Sequence, residues 1–203
     1  MADTRHDHEP SELGPMDVRV RALESILVDK GYVEPAALDE IVEAYETRIG
    51  PHLGAQAVAR AWTDPEFDAR LTADATSALA EMDIGGRQSE HVVAVHNAAG
   101  VHNLVVCTLC SCYPWAVLGI PPAWYKSSAY RSRAVLEPRA VLAEFGTELP
   151  PETRIRVWDS TAEVRYLVVP RRPEGTDGWD AARLSTLVSR DSMVGVREAN
   201  APA

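Results

Sequence analysis

Cys107, Cys110 and Cys112 fall within one hexapeptide, Cys107-Thr-Leu-Cys110-Ser-Cys112, of a 203-residue chain that has no other cysteine. Random placement would cluster three cysteines so tightly on the order of one time in a thousand. Free cysteines at a strand end can be small buried hydrophobes. A Cys107-x-x-Cys110 redox pair would leave Cys112 unused. Four-iron clusters take more thiolates at wider spacing. Structural zinc needs a fourth ligand, usually from a second, separated pair. His91, His96 and His102 lie near enough in sequence to supply it, yet each falls on an apparent strand and reads as a satisfied or exposed histidine. Zinc stays open as a rival. The Cys110-Ser111-Cys112 spacing offers another arrangement. If the Cys110 sulfur, the Ser111 and Cys112 amide nitrogens and the Cys112 sulfur bind one ion, the chelate rings have six, five and five members. These sizes are unstrained. The four donors can share a plane, with Cys107 as a fifth from below and the sixth position open to water or substrate. Amide nitrogens lose protons only to a strongly Lewis-acidic ion, and the donor set is very negative. Both facts favour trivalent cobalt or iron over zinc.

Residues 105–135, VVCTLCSCYPWAVLGIPPAWYKSSAYRSRAV, resemble the metal-binding signature of the nitrile hydratase α-subunit family. So do AYETRIGPHLGA (44–55), AWTDPEF (61–67), VWDSTAEVRYLVVPRRPEGTDGW (157–179) and LVSRDSMVGV (187–196), so the likeness covers nearly the whole chain after its N-terminal arm. The motif is shared chiefly with the metal subunit of thiocyanate hydrolase. Thr108 and Tyr113 resemble the cobalt form, the iron form usually carrying serine at the first position. The resemblance therefore implies a non-corrin Co(III) centre, ahead of iron(III), ligated by the sulfurs of Cys107, Cys110 and Cys112 and the main-chain nitrogens of Ser111 and Cys112. It implies that Cys110 becomes a sulfinic and Cys112 a sulfenic acid, successive rungs of thiol oxidation. It implies catalytic roles for Cys112, Cys110 and Ser111 in hydrating nitriles to amides. It further implies a β subunit in an αβ or α2β2 assembly, whose arginines hold the oxidised sulfurs through charge-assisted hydrogen bonds. The chain alone is then inactive, and an activator protein delivers cobalt. The chain departs from the family's common pattern at Ala116, where proline is usual, at Ala123, where asparagine is usual, and at Gln88-Ser89-Glu90, where Gln-Gly-Glu is usual. None of these is a ligand. Gln88 becomes a pocket or hydrogen-bonding residue by analogy, and the changes bear on substrate range.

Other residues have weaker signals. Trp115 stands three residues past the last cysteine and is a pocket candidate, whereas Trp124 and Tyr125 read rather as core or interface. Asp159, Glu163 and Arg165 form either a network behind the ligands, Arg165 being a candidate for the pocket or for that network, or an ordinary surface ion pair at strand spacing. The His6-Asp7-His8 tract reads as a solvated tail, and Ser132 lacks a nucleophile-elbow context.

The elements that must position the cysteines follow from periodicity. Residues 1–15 form a polar arm ending in Gly14-Pro15. From Asp17, Val20, Leu23 and Ile26-Leu27 share one helical face, closed by Gly31. Pro35 opens a second helix with a stripe of Leu38, Ile41, Val42, Tyr45 and Ile49. A third runs from Leu53 to Trp62, and Asp64-Pro65 caps a fourth reaching towards Met82. After Gly85-Gly86, β-branched runs at 91–95 and 101–107, separated by Asn97-Ala-Ala-Gly100, predict a hairpin. A helix around 138–145, strands near 154–158 and 163–169 and a helix near 179–189 complete the reading. The expected class is α+β, with a mobile arm (1–15), a helical N-terminal region (16–85) and an α+β metal-binding domain (86–203). Composition agrees with an ordinary globular chain: 46% hydrophobic and 25% charged. The net charge of −10 argues against nucleic acid, whose phosphates want a concentrated basic face. No run approaches the roughly 20 apolar residues of a membrane span. The polar, acidic N-terminus is no secretory signal, so the expected location is cytoplasmic.

Overall fold

The computed structural model describes residues 15–43, 49–85 and 91–202; the N-terminal arm through Gly14, Tyr45 and Gln88 lie outside the described residues. The fold is α+β, with eleven helices and four strands among the described residues. Residues up to Ala44 form one unit, carrying α1 (Pro15–Asp29) and α2 (Pro35–Glu43). Gly31, at φ +68°, ends α1 as expected, where its N–H donates to Val28 O and that of Tyr32 to Leu27 O. Val20, Leu23, Ile26, Ile41 and Val42 of this unit are exposed, while Leu27 and Leu38 are half-buried.

The second unit, from Tyr45 on, holds one main core. Its helices α3 (Pro51–Thr63), α4 (Pro65–Ala73) and α5 (Ala75–Ala80) begin where proline or an aspartate cap permits. The expected fourth helix is two: Asp74 turns the chain and accepts from Ser77 N (3.1 Å) and Ser77 Oγ (2.6 Å), capping α5. An aspartate that can bond backbone locally competes with helix continuation. Strands follow at β1 (His91–His96) and β2 (Val101–Val106), then α6 (Trp115–Leu118), α7 (Ala123–Lys126), α8 (Ser128–Leu136) and α9 (Pro138–Glu144). The chain ends in β3 (Arg154–Asp159), β4 (Val164–Val169), α10 (Ala181–Ser185) and α11 (Arg190–Val194).

The predicted hairpin does not form. β1 pairs parallel with β4, and β2 pairs parallel with β3, so the turn at 97–100 joins two separate ladders. An isolated bridge between Ala98 and Val101 closes that turn. Beyond it, Asn97 Oδ1 takes Asn103 N–H (2.7 Å), and the side chain occupies the place of a cross-strand bond. Burial fits this pairing: all of β2 after Val101 is buried, as expected of a parallel strand covered on both faces. Val106, the last residue of β2, lies beside Asp159, the last of β3. Whatever follows β2 therefore emerges next to the end of β3.

Two glycines permit close approach. Gly195, at φ +89°, ends α11 with its Cα against β2; a Cβ there would stand 2.0 Å from Asn103 O. At Gly54 of α3 a Cβ would meet Met193 Sδ at 2.7 Å and Leu118 Cδ2 at 2.9 Å, so α6 and α11 pack directly on that helix.

Candidate metal centre

Cys107 leaves β2 and is buried, Cys110 is exposed and Cys112 half-buried, so the loop climbs from core to surface. The three sulfurs lie within 4.8 Å of one another. Cys110 and Cys112 Sγ are 3.3 Å apart, Cys107 and Cys110 Sγ 3.7 Å. With metal–sulfur bonds of about 2.3 Å, two sulfurs bound at a right angle stand roughly 3.3 Å apart, and at a tetrahedral angle roughly 3.8 Å. The three sulfurs thus fit one shared ion. Cys110 N–H donates to Cys107 Sγ (3.3 Å). The Cys110 main-chain nitrogen thus faces the inner sulfur.

Electrostatics separates the two outer thiols. Cys110 is held below the ordinary cysteine range, first by its hydrogen bond with Cys112 and then by the Ser111 N–H. Cys112 is pushed up to about 12, chiefly by burial and then by Cys110, while the charge of Arg165 pulls it down. Cys110 gives up its proton first and Cys112 keeps it.

The loop is gripped by residues far along the chain. Asp159 accepts from Thr108 N (2.9 Å) and Thr108 Oγ1 (2.6 Å). This is the consequence of the β2–β3 register. Arg131 Nη1 donates to Leu109 O (3.1 Å) and Cys110 O (3.4 Å). Tyr125 OH donates to Cys112 O (2.8 Å), and Tyr130 OH to Val105 O (2.6 Å). Burial raises both phenols well above their ordinary range, which keeps them as neutral donors. An open groove lined by Thr108, Ser128, Arg131, Ser132, Val135 and Leu136 runs beside the loop.

Of the other candidates, Trp115 is half-buried at the start of α6 and packs on the core. Trp124 stacks edge-on with Tyr130 and Phe145 (4.9 and 4.8 Å), and Tyr125 with Tyr113 (4.9 Å), an aromatic core beneath the loop. Arg165, on β4, acts electrostatically on Cys112, while Glu163 Oε2 takes the Thr161 hydroxyl (3.1 Å). The histidines have partners away from the cysteines: His91 with Thr76, His96 with Asp68, His102 with Asn97 and Gly195 O. The grips by Arg131 and Tyr125 have no local sequence signal, since they bridge 21 or 22 and 13 residues.

Residues 14–197 match the family model described as nitrile hydratase, alpha chain. The low-molecular weight cobalt-containing nitrile hydratase subunit alpha of Rhodococcus rhodochrous is 56% identical over 185 residues, covering 91% of this chain and 89% of that protein. The cobalt-containing nitrile hydratase subunit alpha of Pseudonocardia thermophila is 55% identical, covering 90% of each. The thiocyanate hydrolase subunit gamma of Thiobacillus thioparus is 38% identical, covering 91% of this chain and 80% of that one. Among solved structures, a double mutant of Fe-type nitrile hydratase from Comamonas testosteroni Ni1 superposes with a TM-score of 0.87 at 39% identity, covering 92% of this chain and 91% of that one.

Proposed function

The chain belongs to the nitrile hydratase α-chain family, and on that premise we propose that it is the metal-bearing α subunit of a nitrile hydratase, a hydro-lyase adding water to a nitrile to give the amide. The observation that carries this reading is the convergence of three sulfurs within 4.8 Å, with the Cys110 N–H turned towards the innermost of them. Cys107, Cys110 and Cys112 would hold the ion through sulfur, Ser111 and Cys112 through nitrogen. Non-corrin cobalt(III), in line with the cobalt-containing relatives, supplies Lewis acidity that polarises the carbon–nitrogen triple bond or water. An external oxidant of the dioxygen class would take Cys110 to the sulfinic and Cys112 to the sulfenic acid, supplying the added oxygen atoms and accepting the electrons. The Cys112 oxygen then attacks the nitrile carbon or takes the proton from the attacking water. The neighbouring Arg165 charge partly offsets the burial that holds the Cys112 thiol protonated. Trp115 and Gln88 are pocket candidates. The partner is a β subunit, in an αβ or α2β2 assembly that completes the exposed side of the loop, and a cobalt-delivering activator protein loads it in the cytoplasm.

The test is metal content together with mass spectrometry of the tryptic fragment spanning Cys110 and Cys112. About one cobalt per chain and added oxygen on both residues support the reading. Three plain thiols with zinc would overturn it in favour of a non-catalytic, zinc-stabilised interaction module. Acrylonitrile against thiocyanate, offered to the assembled complex, separates nitrile hydration from the activity named for the 38% identical relative. Turnover of thiocyanate alone would reassign the substrate.

A further inference from the structure

Arg131 reaches the loop from α8, and two of its contacts fall on consecutive peptide groups: Nη1 donates to Leu109 O at 3.1 Å and to Cys110 O at 3.4 Å. A trans peptide is planar, with its carbonyl and its N–H pointing to opposite sides. No peptide bond among the described residues is cis. Holding Leu109 O outward therefore turns Cys110 N inward, and holding Cys110 O outward turns Ser111 N inward. The first consequence is visible directly, because Cys110 N–H donates to Cys107 Sγ at 3.3 Å. The second follows from the same planarity, since Cys110 O is held by the same guanidinium.

The helix that carries the guanidinium is itself fixed. Ser127 caps α8, its Oγ accepting from Tyr130 N (3.1 Å), and Tyr130 OH bonds Val105 O (2.6 Å) in the strand leading into Cys107. Adjacent residues of one helix thus hold both the strand that enters the loop and the outer carbonyls of the loop. Leu109, 84% exposed, has no packing of its own that would orient its peptide.

We infer that Arg131 is a positioning residue of the metal centre, setting the two peptide planes that turn the Cys110 and Ser111 nitrogens towards the sulfurs. The inference rests on the ligand reading given under the proposed function. Arginine suits the task because its planar fork is stiff and weakly hydrated and its charge is permanent. Its positive charge also stands outside a donor set that becomes strongly negative. A lysine ammonium keeps the charge, but its flexible stem and strong hydration do not hold two carbonyls in one geometry.

The experiment uses the assembled, cobalt-loaded complex with its β subunit, as wild type, Arg131→Met and Arg131→Lys. It reads cobalt retained against a chelator, the sulfur-to-cobalt charge-transfer band and the melting temperature. Residues that orient metal ligands typically change metal affinity by roughly 10–100-fold, so Arg131→Met is expected to release cobalt about tenfold faster and to show a displaced or weakened band. Arg131→Lys is expected to fall between. Wild-type retention and an unchanged band in Arg131→Met overturn the inference. If Arg131→Met does not assemble, Arg131→Lys decides, and wild-type behaviour there overturns it. Wild-type behaviour of Arg131→Lys beside a deficient Arg131→Met assigns the effect to charge and also overturns the positional role. A wild-type complex holding no cobalt overturns the proposed function itself, which keeps the two failures apart.

Discussion

Cys110 and Cys112 stand 3.3 Å apart and their thiols move in opposite directions, one down and one up to about 12. The residue kept protonated by burial is the one assigned the reacting oxygen. Cys112→Ala removes both a sulfur donor and that oxygen while leaving the main-chain nitrogen in place. The expected outcome is turnover below detection in a nitrile assay and reduced cobalt by elemental analysis; normal kcat with bound cobalt would refute the assignment. Tyr125→Phe is subtler, since it deletes only the hydroxyl that bonds Cys112 O. The carbonyl is left without that donor near the core, at about 1–3 kcal/mol, and faster cobalt loss is the expected readout. The ligands themselves were legible in the sequence because they are local: three cysteines in a hexapeptide can hardly avoid one another. Their supports were not. Asp159 arrives across 51 residues because Val106 and Asp159 share a register, and nothing in either segment read alone announces that pairing.

The same division between local and distant decides what could be read at the scale of elements. Caps and breaks are local chemistry, and Gly31, Pro35, Pro51, Asp64 and Pro138 each act as their types predict. Asp74 carries equally local chemistry, yet a continuous helix through it reads the same until Ser77 is seen to close the cap. Asp74→Ala should therefore cost about 1 kcal/mol, lowering the thermal midpoint by roughly 2–4 °C. Strand pairing is different. A β-branched run, a four-residue turn and a second run are compatible with a hairpin and with two parallel ladders. The choice falls to β3 and β4, some fifty or more residues later in the chain. Parallel pairing needs those crossovers, and α6 to α9 occupy the one between β2 and β3. Gly195 shows how tightly the result is closed, its Cα lying on the backbone of Asn103. Gly195→Ala combines a positive φ with a 2.0 Å clash against backbone. The expected loss is about 3 kcal/mol or more, read as a fall in melting temperature and a smaller yield of folded protein.

At the scale of the whole molecule, one buried histidine ties the ends of the strand system to the C-terminal helix. His102 Nε2 donates to Gly195 O (2.7 Å), and Asn97 Nδ2 donates to Nδ1 (3.3 Å) while Asn97 Oδ1 accepts from Asn103 N and Nδ2. This arrangement uses the neutral ring, one nitrogen donating and the other accepting. Burial holds the His102 pKa below its ordinary 6.5, opposed by the bond to Gly195 O and by the charge of Glu198. The unfolded chain can take up a proton near 6.5, whereas the folded chain resists until a lower pH. Below that value the unfolded state binds more protons, so stability falls as pH falls and is unaffected by this group above it. The carboxylates held low by their partners, Asp64, Asp74 and Glu144, lose their contribution only as pH drops through still lower values, starting from 3.8 for the aspartates and 4.5 for the glutamate. The histidine window therefore opens at a higher pH than the carboxylate window. A single histidine gives a slope of at most about 1.4 kcal/mol per pH unit. Thermal melts of the assembled protein between about pH 5 and pH 8 should show the midpoint declining below roughly 6.5. His102→Gln, which keeps a donor for Gly195 O but cannot take up a proton, should start from a lower midpoint and flatten that decline. An equally steep decline in the variant would assign the acid sensitivity to other groups and detach it from the joint between β2 and α11.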